Sequence, residues 1–370
     1  GTTARADSEG RMNLSCSAPT LGALPLTGSW KRVRSTGCAE HCAHACAHRR
    51  RAQTLHRFEP SGCVLPALDD LRSVRGRVML IGDSTSRYAF DELVAWLRRR
   101  GQPLMCRNTS QPKWTLPSGR QLRPEHAAVM LLAADDRYER PPLDCRHGSL
   151  RLSSRRLNLL PDASAPGAAA AFDDLFRPVS AAPGRPRGVA VIQSGLWLAA
   201  LARHPAFASR GGREARRAAA LEVFHASAGS FLRLACSRRD WPRLVWQLPL
   251  PQHFDTRDGA FRSEAALRPC APIGSSAAHS AWERLVVPIA KAAAAAASER
   301  PCAQPAVQLV RGFWPLLARH GDHPGAHKPG GAARRDCSHW LPCSGAMHLH
   351  LRLLLAAIAE ARLSTALSRV

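Results

Sequence analysis

Long apolar runs are missing from this 370-residue chain: no stretch reaches 18 uninterrupted apolar residues, so no transmembrane helix is expected. Acidic residues are scarce, 28 Asp and Glu against 52 Lys and Arg, which leaves a net charge of +24. A field of that sign draws in polyanions. Yet no basic strip interleaved with aromatics marks a nucleic-acid platform, and the arginines are spread through helices and tails alike. No specific nucleic-acid partner is expected. An initiator methionine is also missing at Gly1; a targeting or anchoring segment is expected to have been removed, and membrane association would come only through it.

What is present sets the scale. A 45% hydrophobic composition over this length can bury a large core, as one main domain with an elaborated N-terminal segment. Twelve cysteines dispersed from Cys16 to Cys343 suit disulfides in an oxidising lumen, with a connectivity that spacing does not reveal. Cys38, Cys42 and Cys46 fall four apart among His41, His44 and His48, a dense set of soft ligands. They lack the paired knuckle spacing of a zinc site, so disulfides are expected there and no metal.

The chain is organised around Val78-Met79-Leu80-Ile81-Gly82-Asp83-Ser84. A run too short for a helix stops at a tight turn, and Phe90, Leu93, Val94 and Leu97 then repeat at helical spacing up to Arg98–Arg100. This reads as strand, turn and helix with Ser84 on the turn, where the serine could equally serve as a buried N-cap. Residues 1–26 read as a flexible tail, with Thr27–Trp30 a turn and 55–66 an irregular connector. Cys106–Thr109 and Cys145 fall in loops, Ala127–Ala133 in a strand, and 161–188 in a Pro/Ala/Gly-rich surface insertion. Strands are expected at Val189–Ile192, Leu244–Leu248 and Ala306–Val310, and helices at Glu214–Ala235, Ala281–Arg300 and Met347–Leu367. The alternation predicts an α/β fold, a three-layer α/β/α sandwich around a mainly parallel sheet. Ligands of such sheets sit at the carboxyl ends of strands, where Gly195 and Trp197 follow the strand at 189–192.

A nucleophilic relay needs a hydroxyl, an imidazole and a carboxylate that fixes the imidazole tautomer. Ser84 near one end of the chain, with Asp336 and His339 three apart near the other, offers that set. Asp-x-x-His alone is common, and an ordinary turn would contain it as readily.

The motifs, in order, resemble the plant trichome-birefringence-like group of polysaccharide O-acetyltransferases, within the GDSL/SGNH-like and PC-esterase superfamily. The resemblance rests on Thr27-Gly28-Ser29-Trp30 with Cys38, Glu59-Pro60-Ser61-Gly62-Cys63-Val64-Leu65-Pro66, Gly82-Asp83-Ser84 with Arg87, Pro251-Gln252-His253-Phe254, Asp322-His323-Pro324 and Asp336-Cys337-Ser338-His339-Trp340. It runs from about residue 27 to the C-terminus and divides the chain into 1–26, a cysteine-rich segment 27–74 packed on the main domain, and an SGNH-hydrolase-like catalytic domain 75–370.

The resemblance implies Ser84 as nucleophile, His339 as base and Asp336 as its orienting carboxylate. Gly82, Arg87, Asn108, Gly195, Trp197 and His253 would then serve the oxyanion or the substrate. It further implies an acetyl donor such as acetyl-CoA as co-substrate with no tightly bound cofactor, a polysaccharide acceptor, anionic ones included, and a Golgi-luminal or extracellular location. Two departures stand out: Leu196 replaces a polar residue, and the arginine and threonine that precede Pro251 in the family are absent. An acetyl esterase with the same residues and a non-catalytic glycan-binding protein are the alternatives.

Overall fold

The computed structural model describes residues 4–6, 12–14, 28–33, 55–61, 63–68, 74–99, 103–109, 123–133, 142–182, 187–262, 265–299, 302, 307–323, 325–326, 335–341 and 344–367. The Cys38–His48 cluster lies outside them. At the centre is a seven-stranded sheet of β1 (Gly76–Gly82), β2 (Met105–Asn108), β3 (Leu143–His147), β4 (Leu150–Arg156), β5 (Val189–Gln193), β6 (Arg243–Gln247) and β7 (Gln308–Val310). Its order is β7-β6-β5-β1-β4-β3-β2. The five strands from β7 to β4 run parallel, and β3 and β2 close one edge antiparallel.

β1 is central because its sequence leaves it nowhere else to go. Val78, Met79, Leu80 and Ile81 are all essentially inaccessible, each worth roughly 1.5–3 kcal/mol when buried. Alternate side chains serve opposite faces. Val78 and Leu80 join a core with Phe90, Leu93 and Leu97 of α1 (Ser84–Arg99) and the leucines of a C-terminal helix. Met79 and Ile81 join the other core, with Phe172, Phe224 and Trp246. That second layer contains α2 (Pro124–Ala133), α3 (Ala168–Phe176), α4 (Arg213–Ser237), α5 (Ser275–Leu285) and α6 (Val287–Glu299). Helices on both faces of a mostly parallel sheet give three layers.

The C-terminal helix α7 (Gly345–Leu367) is buried almost all round from Ala346 to Ile358, because it lies between the sheet and an N-terminal hairpin. The hairpin pairs Gly28–Val33 with Leu55–Pro60. Arg352 of α7 ties the two together, donating to the carbonyls of Pro66 (2.9 Å), Leu65 (2.8 Å) and Phe58 (3.4 Å). Trp30 adds a hydrogen bond from Nε1 to Pro315 O at 2.9 Å and lies under the Arg319 guanidinium.

Several expectations are corrected. Residues 127–133 are helical, since Ala, Leu and Met favour helix and the run follows a helix-starting Pro124-Glu125. Of the turn expected at Thr27–Trp30, Thr27 lies outside the described residues and Gly28 onward is strand, as are residues 55–60 of the supposed connector. Cys106 and Cys145 lie in β2 and β3, opposite one another and disulfide-bonded. The supposed surface insertion contains α3, whose Phe172, Leu175 and Phe176 are inaccessible core residues. Within the expected tail, Ala4–Ala6 and Met12–Leu14 pair antiparallel. The helix expected at 281–300 is two helices, α6 beginning beside Pro288, whose missing N–H suits a helix start.

Cys236–Cys302 and Cys270–Cys337 are also disulfides, and Cys63 is disulfide-bonded. Such bonds fit an oxidising, secretory-type compartment. Among the described residues no helix is long and apolar enough to cross a membrane.

Because Arg352 serves three buried carbonyls, Arg352→Leu should lower unfolding free energy by about 2–4 kcal/mol. Urea unfolding followed by circular dichroism checks this; an unchanged midpoint would mean the hairpin is not held through this side chain.

Candidate active site

Gly82 ends β1 where no side chain fits: a Cβ there would meet Gln193 O at 2.3 Å. Asp83 follows and caps α1. Its Oδ1 accepts from Thr85 N (3.0 Å) and Thr85 Oγ1, and its Oδ2 accepts from Leu196 N (3.3 Å). Burial pushes this carboxyl up, against the hydrogen bonds that favour its charge. Capping by Asp83 leaves Ser84 as the first helical residue, half-exposed at the positive end of α1.

Ser84 Oγ stands 2.6 Å from His339 Nε2, and His339 Nδ1 stands 2.7 Å from Asp336 Oδ2. The partners fix the tautomer: Nδ1–H donates to the carboxylate, leaving Nε2 to accept from the serine. Asp336 Oδ1 accepts from the backbone N–H of Ser338 and of His339, both at 3.1 Å. Burial opposes the Asp336 charge, but the hydrogen bond and charge of His339 outweigh it and bring the carboxyl down to about 2. Asp336 therefore stays ionised across the range in which an ordinary imidazole titrates. Tyr88, one turn along α1, stacks on the His339 ring at 4.6 Å between centroids. Chemically, this series can take a proton from a serine hydroxyl as it attacks and return it to a leaving group.

The 335–341 loop is fixed from below. Cys337 is bonded to Cys270, His253 N donates to Cys337 O (2.9 Å), and Gln252 Nε2 donates to Ser338 Oγ (3.0 Å). His323 Nδ1 reaches the carbonyl of His339 at 2.6 Å, and the His323 ring stacks on Trp340. His253 and His323 meet through Nδ1 and Nε2 at 2.7 Å, while His253 Nε2 reaches Leu317 O at 2.8 Å. Carbonyls only accept, so both outer nitrogens hold protons and a neutral pair has none left for the inner contact. A third proton would complete that contact by creating a buried cation. Burial works against it, bringing His253 down to about 4 and His323 to about 3.

Of the residues singled out from sequence, Ser84, His339, Asp336 and Gly82 converge here. Gly195 follows β5 at φ +123°, and with Leu196, Asp83, Gln252 and Ser338 it lines a cavity of about 60 Å³. Trp197 is half-buried under the Arg156 guanidinium. Three further residues sit apart from this convergence or are held by other partners. Arg87 is paired with Asp91 (3.0 Å) and Ser154 (3.3 Å), which fixes the start of the helix. Asn108 is exposed on β2, the strand at the far edge of the sheet from β7 and three removed from β1. His253 is wholly inaccessible and braces the loop. Tyr88 and the His253–His323 contact went unread, because side chains brought together only by the fold leave no local signal. Among the described residues no cluster could hold a metal ion.

Neutral buried imidazoles take up no proton where unfolded ones do, between about pH 6.5 and pH 4 for His253. Their stabilising contribution is complete above pH 6.5 and is lost as pH falls towards 4. Scanning fluorimetry should show a melting temperature that drops below pH 6.5, with a shallower drop in His253→Asn; equal slopes would count against this assignment.

Comparison of the chain with protein-family models and with curated proteins found no match.

Proposed function

We propose that this protein is a polysaccharide O-acetyltransferase of the secretory pathway, working in the Golgi lumen through a serine acyl-enzyme on an SGNH-like domain. The observation that supports this most is the continuous hydrogen-bonded series from Ser84 Oγ through His339 to Asp336, with contacts of 2.6 and 2.7 Å. The motif resemblance around Ser84 and Asp336–Trp340 supports acetyl transfer to a glycan in particular.

In the first half-reaction Ser84 Oγ attacks the acetyl carbonyl of a donor such as acetyl-CoA, and its proton passes to His339 Nε2. The tetrahedral oxyanion is stabilised by backbone N–H groups of the Gly82–Ser84 turn and of Gly195, aided by the positive end of α1. The donor's leaving group departs with the proton from His339, and acetyl-Ser84 remains. In the second half-reaction a sugar hydroxyl attacks that ester while His339 takes its proton. Collapse of the second oxyanion releases Ser84, which recovers a proton from His339. Asp336 holds the imidazole tautomer and stabilises the imidazolium formed in each half. Water in place of the sugar would make the same residues an acetyl esterase.

Intact mass after brief exposure to a generic acetyl ester, with and without glycans, tests the proposal. The parent should gain one acetyl group that Ser84→Ala does not, and a glycan should discharge it faster than water does. Discharge indifferent to glycan would indicate the esterase, and an adduct retained in Ser84→Ala would sink both readings.

A further inference from the structure

A second hollow, of about 300 Å³, is within the size range of small-ligand pockets. Its lining holds Arg203, Arg213, Arg216, Arg217 and Arg262, the ring of Phe261, and small side chains around the short helix Leu198–Leu201. Among the described residues no carboxylate lines it. Among the described residues two acidic groups stand at ion-pair range of the lining: Glu214 is 3.7 Å from Arg217 and 3.8 Å from Arg262, and Asp258 is 4.0 Å from Arg217. Asp258 is nearer Arg284, at 3.3 Å. Arg216 Nε and Arg262 Nε are buried atoms with no hydrogen-bond acceptor among the described residues. Three of the five arginines also fall in the opening turns of α4, where the helix dipole disfavours cations. A hollow ringed by so many cationic side chains presents a field that draws an anionic ligand.

Two walls of the hollow are connected to the candidate site. The short helix Leu198–Leu201 continues directly from Gly195-Leu196-Trp197. On the other side Phe261 N donates to Gln252 Oε1 (3.3 Å), and Gln252 in turn holds Ser338, the neighbour of His339.

We infer that this arginine-lined hollow is a subsite for a carboxylate-bearing sugar, a uronate unit of the acceptor glycan. The role as an acceptor subsite rests on the acetyl-transfer reading of Ser84; the binding itself does not. Guanidinium forks match planar carboxylates bidentately, and Phe261, whose ring lies under the Arg203 guanidinium at 5.3 Å, holds one of them at the wall. The Gly211–Gly212 tip of α4 stays outside the lining, so the described lining is built from side chains rather than from the backbone cradle typical of phosphate sites.

The test is calorimetric titration of full-length Ser84→Ala with trigalacturonate, its methyl-esterified form and pyrophosphate. Trigalacturonate should bind, and the methyl ester should bind at least tenfold more weakly. Adding Arg216→Gln with Arg262→Gln should weaken trigalacturonate at least tenfold. Arg146→Gln with Arg151→Gln, an equal charge loss on exposed strand positions, should leave it unchanged. Should the glutamine pair fail to fold by circular dichroism, Arg216→Lys with Arg262→Lys keeps charge and stem, and loss of the forks should still weaken binding at least threefold. Equal losses in the hollow and control variants, equal binding of the methyl ester, or a hollow-dependent affinity for pyrophosphate alone would overturn the subsite. Acetyl-Ser84 formation, measured separately on the parent, would fail without touching this result if only the transfer reading were wrong.

Discussion

A serine and a histidine 255 positions apart meet at 2.6 Å because the short loop from residue 335 to 341 is held at several points. Its backbone is held by His253 at Cys337 and by His323 at His339, its side chains by Gln252 at Ser338 and by the Cys270–Cys337 disulfide. Asp336 tightens it further by accepting from two N–H groups of its own turn. Any one of the hydrogen bonds is worth little in water. Around a buried loop they act together, and a relay that is 1 Å out of place loses much of its rate.

Two carboxylates near Ser84 are driven apart electrostatically. Both are buried, yet Asp83 is pushed up while Asp336 is brought down to about 2. The difference is the partner: Asp83 faces backbone and hydroxyl donors at a helix start, whereas Asp336 faces an imidazole that can carry the compensating charge. Position fits Asp83 for holding the turn and Asp336 for holding a base. The two ends of the chain divide the labour in the same way, one presenting the hydroxyl on β1 and α1, the other presenting its partners just before α7.

Much of the architecture could be read in advance where a local pattern had one physical meaning. Val78–Ile81 followed by a 3.6-residue apolar repeat left no alternative to strand, turn and helix, and the buried strands at 189–193 and 243–247 declared themselves likewise. Reading failed where tertiary context assigned the meaning. β4 ends in Ser153-Ser154-Arg155-Arg156, which looks like loop, yet all four residues are buried, with Arg155 paired to Asp144 on β3. Ala127–Ala133 is too short an apolar run for periodicity to separate helix from strand. The meeting of Ser84, His339 and Asp336 was legible because each sits in a compact motif, two of them three residues apart. Arg87, Asn108 and His253 had suitable chemistry, but their work is decided by neighbours distant in sequence: an ion pair, a sheet edge and a second imidazole.

The proposed acyl transfer stands on His339, oriented by Asp336, activating Ser84. The most direct measurement is the rate at which a fluorophosphonate labels Ser84, located by peptide mass mapping, in the parent, His339→Ala and Asp336→Asn. Labelling should fall on Ser84 alone and be slowed by about 10³-fold or more in both variants. Labelling at another serine, or an unchanged rate in either variant, would contradict that activation.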